Sequence, residues 1–153
     1  MSNGLLSRLF AILLPGVLIL AGCQGITTNQ GATANTITLG LNLELTGNIP
    51  KVGEHSRVAA EMFVEETNAN GGVQIGGQNY PLSLVIEDNN GTAEGATATA
   101  NKLATQDQVL VLVGPNASVA AVPAGEGANN QETPMVSPWP THPNTTPNPP
   151  RAF

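Results

Sequence analysis

A single cysteine, Cys23, rules out any disulfide within the chain. Aromatic residues make up only 3% of it, so a core has to be assembled from Val, Leu, Ile and Ala. Cations are equally scarce. Five Lys and Arg stand against eleven Asp and Glu, a formal net charge of −6. An acidic chain of this kind is poorly suited to nucleic acid or to an anionic lipid surface, and neither is expected as a partner. Long apolar runs are missing as well, apart from one near the N-terminus. It extends from Leu9 to Leu20, is interrupted by Pro15-Gly16, and is too short and too broken to span a bilayer.

That run has a meaning of its own. Arg8 precedes it, small residues follow it, and Leu20-Ala21-Gly22-Cys23 closes it, which is the layout of a secretory signal. The four closing residues resemble the lipobox of bacterial lipoproteins. The resemblance implies that Cys23 receives a diacylglycerol and that residues 1–22 are removed as a signal peptide. An ordinary cleaved signal that happens to contain a cysteine is the plainer alternative. Cleavage would take Arg8 away and move the charge from −6 to −7. Attachment to the membrane would then rest on acyl chains, at about 0.8 kcal/mol per buried methylene. The expected location is outside the cytoplasm, lipid-anchored to a bacterial membrane and facing the periplasm or the cell exterior.

Residues 23–35, rich in Gly, Thr, Asn and Gln without periodicity, read as a flexible tether. Beyond them the chain alternates strand and helix signals. Thr36 to Leu43 alternates polar and apolar residues as a strand does, and leads into Thr46-Gly47. Glu54 to Asn70 sets Val58, Ala59, Met62, Phe63 and Thr67 on one helical face, expected to be the buried one, and stops at Gly71-Gly72. Val73 to Ile75 and Tyr80 to Ile86 flank the turn Gly76-Gly77, the second leading to Glu87-Asp88. Thr92 can cap an alanine-rich helix reaching Thr105. Val109 to Val113 reads as a strand buried on both faces. A helix weakened by Pro123, Gly125 and Gly127 follows over residues 118–130, then a short strand at Pro134 to Ser137. This order predicts an α/β fold with a doubly wound parallel sheet. Seven of the twelve prolines lie at or after Pro134, so the tail can also be read as a linker.

Several of these segments together resemble the branched-chain amino-acid-binding proteins of ABC transporters, the Leu/Ile/Val-binding type. Ile37-Thr38-Leu39-Gly40 with Leu45-Thr46-Gly47 is similar to the opening strand and ligand loop of that family. Glu65 to Val73 is similar to its first helix end, Leu84 to Asp88 to its second strand, and Val111 to Pro115 to its third. Pro134 to Trp139, Thr141 and Pro143 to Thr146 resemble the segment around the fourth. The resemblance covers residues 36–153 and implies a partial N-terminal lobe of a two-lobe solute-binding protein, with the second lobe absent and the chain a fragment. It implies ligand contacts at Ser118, Trp139, Thr141 and Val52. The ligand would be a branched-chain amino acid or a related small amino acid or amide, and the partner an ABC permease. No enzyme activity and no cofactor are expected.

On chemistry alone, Ser118 at a helix start and Thr141 in a loop can both hydrogen-bond a carboxylate. A plain N-cap is the simpler reading of Ser118, and an ordinary loop hydroxyl that of Thr141. Pro140 stands where the family carries a small or hydroxyl residue, which removes a donor and stiffens the loop. His142 replaces a common Asn. His55 and His142 are isolated, without metal-ligand spacing, and read as surface residues. Glu87-Asp88 reads as a solvent-facing acidic pair. A ligand-sensing lobe that regulates a partner protein is the alternative to transport. An exported α/β enzyme is a second alternative, but neither a nucleophile–base pair nor a phosphate loop is apparent.

Overall fold

The computed structural model describes residues 35–145. Residues 1–22, read above as a signal peptide, Cys23, and all but the last residue of the segment read as a tether therefore lie outside the described residues, as does the end of the proline-rich tail.

Four strands form a parallel sheet. They are β1 (Ile37–Leu43), β4 (Leu82–Asp88), β5 (Val111–Val113) and β6 (Met135–Val136), in the order β4-β1-β5-β6. A separate antiparallel hairpin, β2 (Val73–Ile75) with β3 (Gln78–Tyr80), turns at Gly76-Gly77. Helix α1 (Pro50–Ala69) connects β1 to the hairpin, α2 (Ala93–Thr105) connects β4 to β5, and α3 (Ser118–Asn130) connects β5 to β6. The parallel, doubly wound sheet expected from the strand–helix alternation is what the chain forms. The second main strand begins later than expected, at Leu82. Pro81 separates it from β3, because proline has no N–H to give a ladder. The third is shorter than Val109–Val113, and Leu110 just before it is 61% exposed, so that run is not buried throughout.

Register sorts one core cluster onto one face, while Leu41 and Leu43 are buried on the other. Gly40 pairs with Val85 and with Leu112, and Leu112 with Met135, so these four point the same way. They meet Ala96, Ala100 and Leu103 of α2, and Ala120, Ala124 and Ala128 of α3. Alanines at these positions let the two helices come close to each other and to the sheet. Gly40 is needed for the same reason: a Cβ there would lie 2.8 Å from a methyl of Val109. Thr92 caps α2 as anticipated, its hydroxyl accepting from the Gly95 N–H at 3.0 Å.

Helix α1 packs on the opposite face, against β1 and β4, and it corrects one expectation. Val58, Met62 and Phe63, read from periodicity as its buried face, are 39%, 64% and 57% exposed. Its inner face carries Gly53, Ala60 and Val64 instead. Two contacts set this rotation. Gly53 lies so close to β1 that a Cβ would fall 2.2 Å from the Glu44 carbonyl oxygen. At the other end, the Asn68 side chain accepts from the Leu82 N–H at 2.7 Å and donates to the Leu82 carbonyl at 2.8 Å. The helix also starts at Pro50, earlier than the periodicity indicated, with proline in its favoured first turn.

Phe63→Ser is expected to change folding stability by less than about 1 kcal/mol, as for an exposed site. Leu112→Ala, which empties a fully buried position, is expected to cost about 2–5 kcal/mol. Urea unfolding of both variants against the parent checks the two together.

Candidate functional site

The sheet order places β1 between β4 and β5. From β1 the chain crosses one face to reach β4, and from β4 it crosses the other face to reach β5. The loops after β1 and β5 therefore part at the carboxyl end of the sheet, where open parallel sheets hold their ligands. The loop after β6 arrives beside them.

Ser118 and Thr141, the two hydroxyl residues singled out in the sequence, meet there. The Ser118 hydroxyl oxygen accepts from the backbone N–H of Thr141 at 3.2 Å and from that of His142 at 3.3 Å. Ser118 is not the N-cap of α3. Ala117 holds that position with no side-chain bond, and Ser118 opens the helix with its hydroxyl directed to the next loop. The capping explanation for this serine therefore does not apply. Trp139, 58% exposed, lies in the same loop, which the Ser137 hydroxyl ties to the Pro115 carbonyl. Val52 sits half-buried in the first turn of α1, on the loop that leaves β1. His142, besides its N–H, uses Nδ1 to accept from the Asn144 N–H at 3.1 Å.

Two acidic groups hold these loops in place: Glu44, which the sequence did not single out, and Asp88, which it read as half of a solvent-facing pair. The Glu44 side chain, at the end of β1, is fully buried. Its carboxylate accepts from the N–H groups of Asn116 and Ala117, each at 3.0 Å, and from Asn116 Nδ2 at 2.9 Å. Asn116 Oδ1 in turn accepts from the Ser56 hydroxyl at 3.1 Å, which adds α1 to the cluster. On the far side of β1, Asp88 gathers the β1 and β4 loops. Its carboxylate accepts from the N–H groups of Leu45 and Thr46 at 3.1 Å, from that of Asn90 at 2.9 Å and from the Thr46 hydroxyl at 2.6 Å. Partial burial works against its charge, but the Thr46 hydroxyl and the amides of Asn90, Thr46 and Leu45 outweigh it and hold the carboxyl below its usual range. Glu87-Asp88 is thus no free acidic pair. Glu87 points to the other face and meets Lys102 Nζ at 2.5 Å.

A third cluster is buried between these loops and α2. Asn42 Nδ2 donates to the Ala96 carbonyl, and Asn89 Nδ2 to Asn42 Oδ1, both at 2.8 Å. Among the described residues no group of His, Cys, Asp and Glu is arranged to hold a metal ion, and no helix is long and apolar enough to cross a membrane. An open depression of about 500 Å³ between α2 and α3, lined by Ala93, Glu94, Thr97, Asn101 and Pro123 among others, shares no residue with the strand-end loops.

This arrangement of parallel strands and strand-end loops is that of a doubly wound α/β lobe. Residues 36–153 match the periplasmic binding protein family, and the chain belongs to it. It is 33% identical over 141 residues to the leucine-, isoleucine-, valine-, threonine- and alanine-binding protein of Pseudomonas aeruginosa, covering 92% of this chain and 34% of that protein. It is 27% identical over 131 residues to the Leu/Ile/Val-binding protein of Escherichia coli K12, covering 86% of this chain and 34% of the relative. Among solved structures, the branched-chain amino acid transporter substrate-binding protein LivJ of Streptococcus pneumoniae, in complex with isoleucine, superposes with a TM-score of 0.66. It is 32% identical, over 72% of this chain and 30% of that one. The chain thus spans about a third of the length of the relatives it matches. The fold is the branched-chain amino-acid-binding type of the periplasmic-binding fold.

Asp88 gives this region an acid sensitivity with a definite sign. Its carboxyl is held below the ordinary value of 3.8, so its contribution to stability is present above that pH and is lost as pH falls through the lowered value. Asp88→Asn is expected to lower stability at about pH 6 while losing less than the parent on moving to about pH 3. Urea midpoints of both proteins at the two pH values provide the check.

Proposed function

We propose that this chain is the ligand-binding lobe of a substrate-binding protein for an ABC importer, and that its ligand is a branched-chain amino acid or a related small amino acid or amide. The observation that carries this reading is the meeting of Ser118 with the Thr141 and His142 amides at the carboxyl end of the sheet. An amino-acid carboxylate needs convergent donors. Here the Ser118 hydroxyl, the free N–H groups of the first turn of α3 and the Thr141 hydroxyl supply them, while the Thr141 N–H holds Ser118 in place. Trp139 contributes its carbonyl toward the ammonium group, and Val52 an apolar contact for the side chain. The relatives named for leucine, isoleucine and valine support the ligand class. The mechanism is capture between this lobe and a second one, closure, and delivery to a membrane permease.

Regulation of a partner protein by the same ligand-dependent closure is the other reading. The two part on whether deleting the protein abolishes uptake of the ligand or only a response to it. Cys23 serves in either case as the lipid attachment point on the outer side of a bacterial membrane, and residues 1–22 as the signal removed before it.

In a protein carrying both lobes, Ser118→Ala is expected to weaken binding of leucine, isoleucine or valine by about 1.5–3 kcal/mol, the range for a hydrogen bond to a charged group. Calorimetric titration reads this directly, and unchanged affinity in both Ser118→Ala and a Thr141 variant would refute the carboxylate site. Cys23→Ser is expected to release the protein from the membrane fraction of a bacterial host. Equal retention of parent and variant would remove the lipid anchor.

A further inference from the structure

The amides just ahead of α3 are the natural place for a ligand carboxylate, since a helix start offers unpaired N–H groups and a favourable dipole. In this chain they are already taken. Glu44 holds the N–H groups of Asn116 and Ala117 with its own carboxylate, and a third donor, Asn116 Nδ2, completes the set. All three donors are neutral. Among the described residues no cation pairs with Glu44, because Arg57 is bound to Glu54 and Glu61, Lys102 is bound to Glu87 and Asp107, and Lys51 is exposed. A negative charge therefore remains, buried and uncancelled, one residue before Ser118. Burial matters to its reach, because charges shielded from water are screened far less than exposed ones.

We infer that Glu44 is a specificity-determining residue of this site: its buried carboxylate makes the site select ligands that carry an ammonium group and turn away simple carboxylic acids. This rests on the reading that the lobe takes an amino acid. The ligand carboxylate is displaced from the Asn116 and Ala117 amides to Ser118 and Thr141. There it experiences repulsion from Glu44 that only a positive group on the same ligand offsets. Leucine carries that group, whereas 4-methylpentanoate, the same molecule without its ammonium, does not.

The test titrates a 15N-labelled protein carrying both lobes with leucine and, separately, with 4-methylpentanoate, following the amide resonances of Ser118, Thr141 and His142. In the parent the acid is expected to bind at least about tenfold more weakly than leucine. In Glu44→Gln, which keeps the shape and removes the charge, that ratio is expected to fall about tenfold. A loss that is merely structural would weaken both ligands alike and leave the ratio where it was. Equal binding of acid and leucine by the parent, or an unchanged ratio in the variant, overturns the inference while leaving the amino-acid reading intact. If Glu44→Gln does not fold, 4-methylpentanamide, which lacks both the ammonium group and the negative charge, decides the matter in the parent: it is expected to bind more tightly than the acid, and the reverse order overturns the inference. Should leucine move none of the three resonances, the amino-acid reading fails, and this inference with it.

Discussion

The Glu44 carboxylate is shielded from solvent and has no cationic partner among the described residues, so it has to be surrounded by donors to offset its lost hydration. Those donors come from the loop after β5. Satisfying one buried charge therefore fixes where that loop leaves the sheet, where α3 begins, and which way Ser118 faces. The Ser56 hydroxyl on Asn116 brings α1 into the same arrangement. From Ser118 the chain of contacts passes to Thr141 and His142, and so reaches the loop after β6. Three strand-end loops thus depend on one side chain near the centre of the sheet.

The other half of the strand-end surface is organised by similar means. Asp88 collects amides from both the β1 and β4 loops, and the Asn42–Asn89 pair joins the same two strands to α2 beneath them. Few aromatic residues and few ion pairs are available to this protein, and short polar side chains take over the placing of its loops. Small residues do the complementary work in the layers. Gly40 admits Val109, Gly53 admits the end of β1, and the alanines of α2 and α3 let two helices share one face of a narrow sheet.

Much of this fold was legible in advance. The strand–helix alternation, the Thr92 cap, the extent of α3 and the position of β6 all follow from local patterns, because each depends on neighbours within a few residues. The resemblance to the branched-chain amino-acid-binding family was legible too, through short segments in the right order. The burial of α1 was not. Its periodicity marks Val58, Met62 and Phe63 as one apolar stripe, but a helix turns toward whatever it can approach most closely, and here that is Gly53 against the Glu44 carbonyl. A hydrophobic pattern ranks faces by composition and does not register steric access.

The candidate site divides along the same line. Sequence by itself determined the class of fold and singled out Ser118 and Thr141 as residue types able to bond a carboxylate. It could do so because strand ends, helix starts and hydroxyl groups are local features. Only the tertiary structure decided that Ser118 turns its hydroxyl to the amides of another loop, and that Glu44, 72 residues from Asn116, lies buried against the start of α3. Contacts at such separation are set by sheet order and register. A lone acidic residue at the end of an apolar strand carries no sign of the amides that will surround it until the third strand has been placed beside the first.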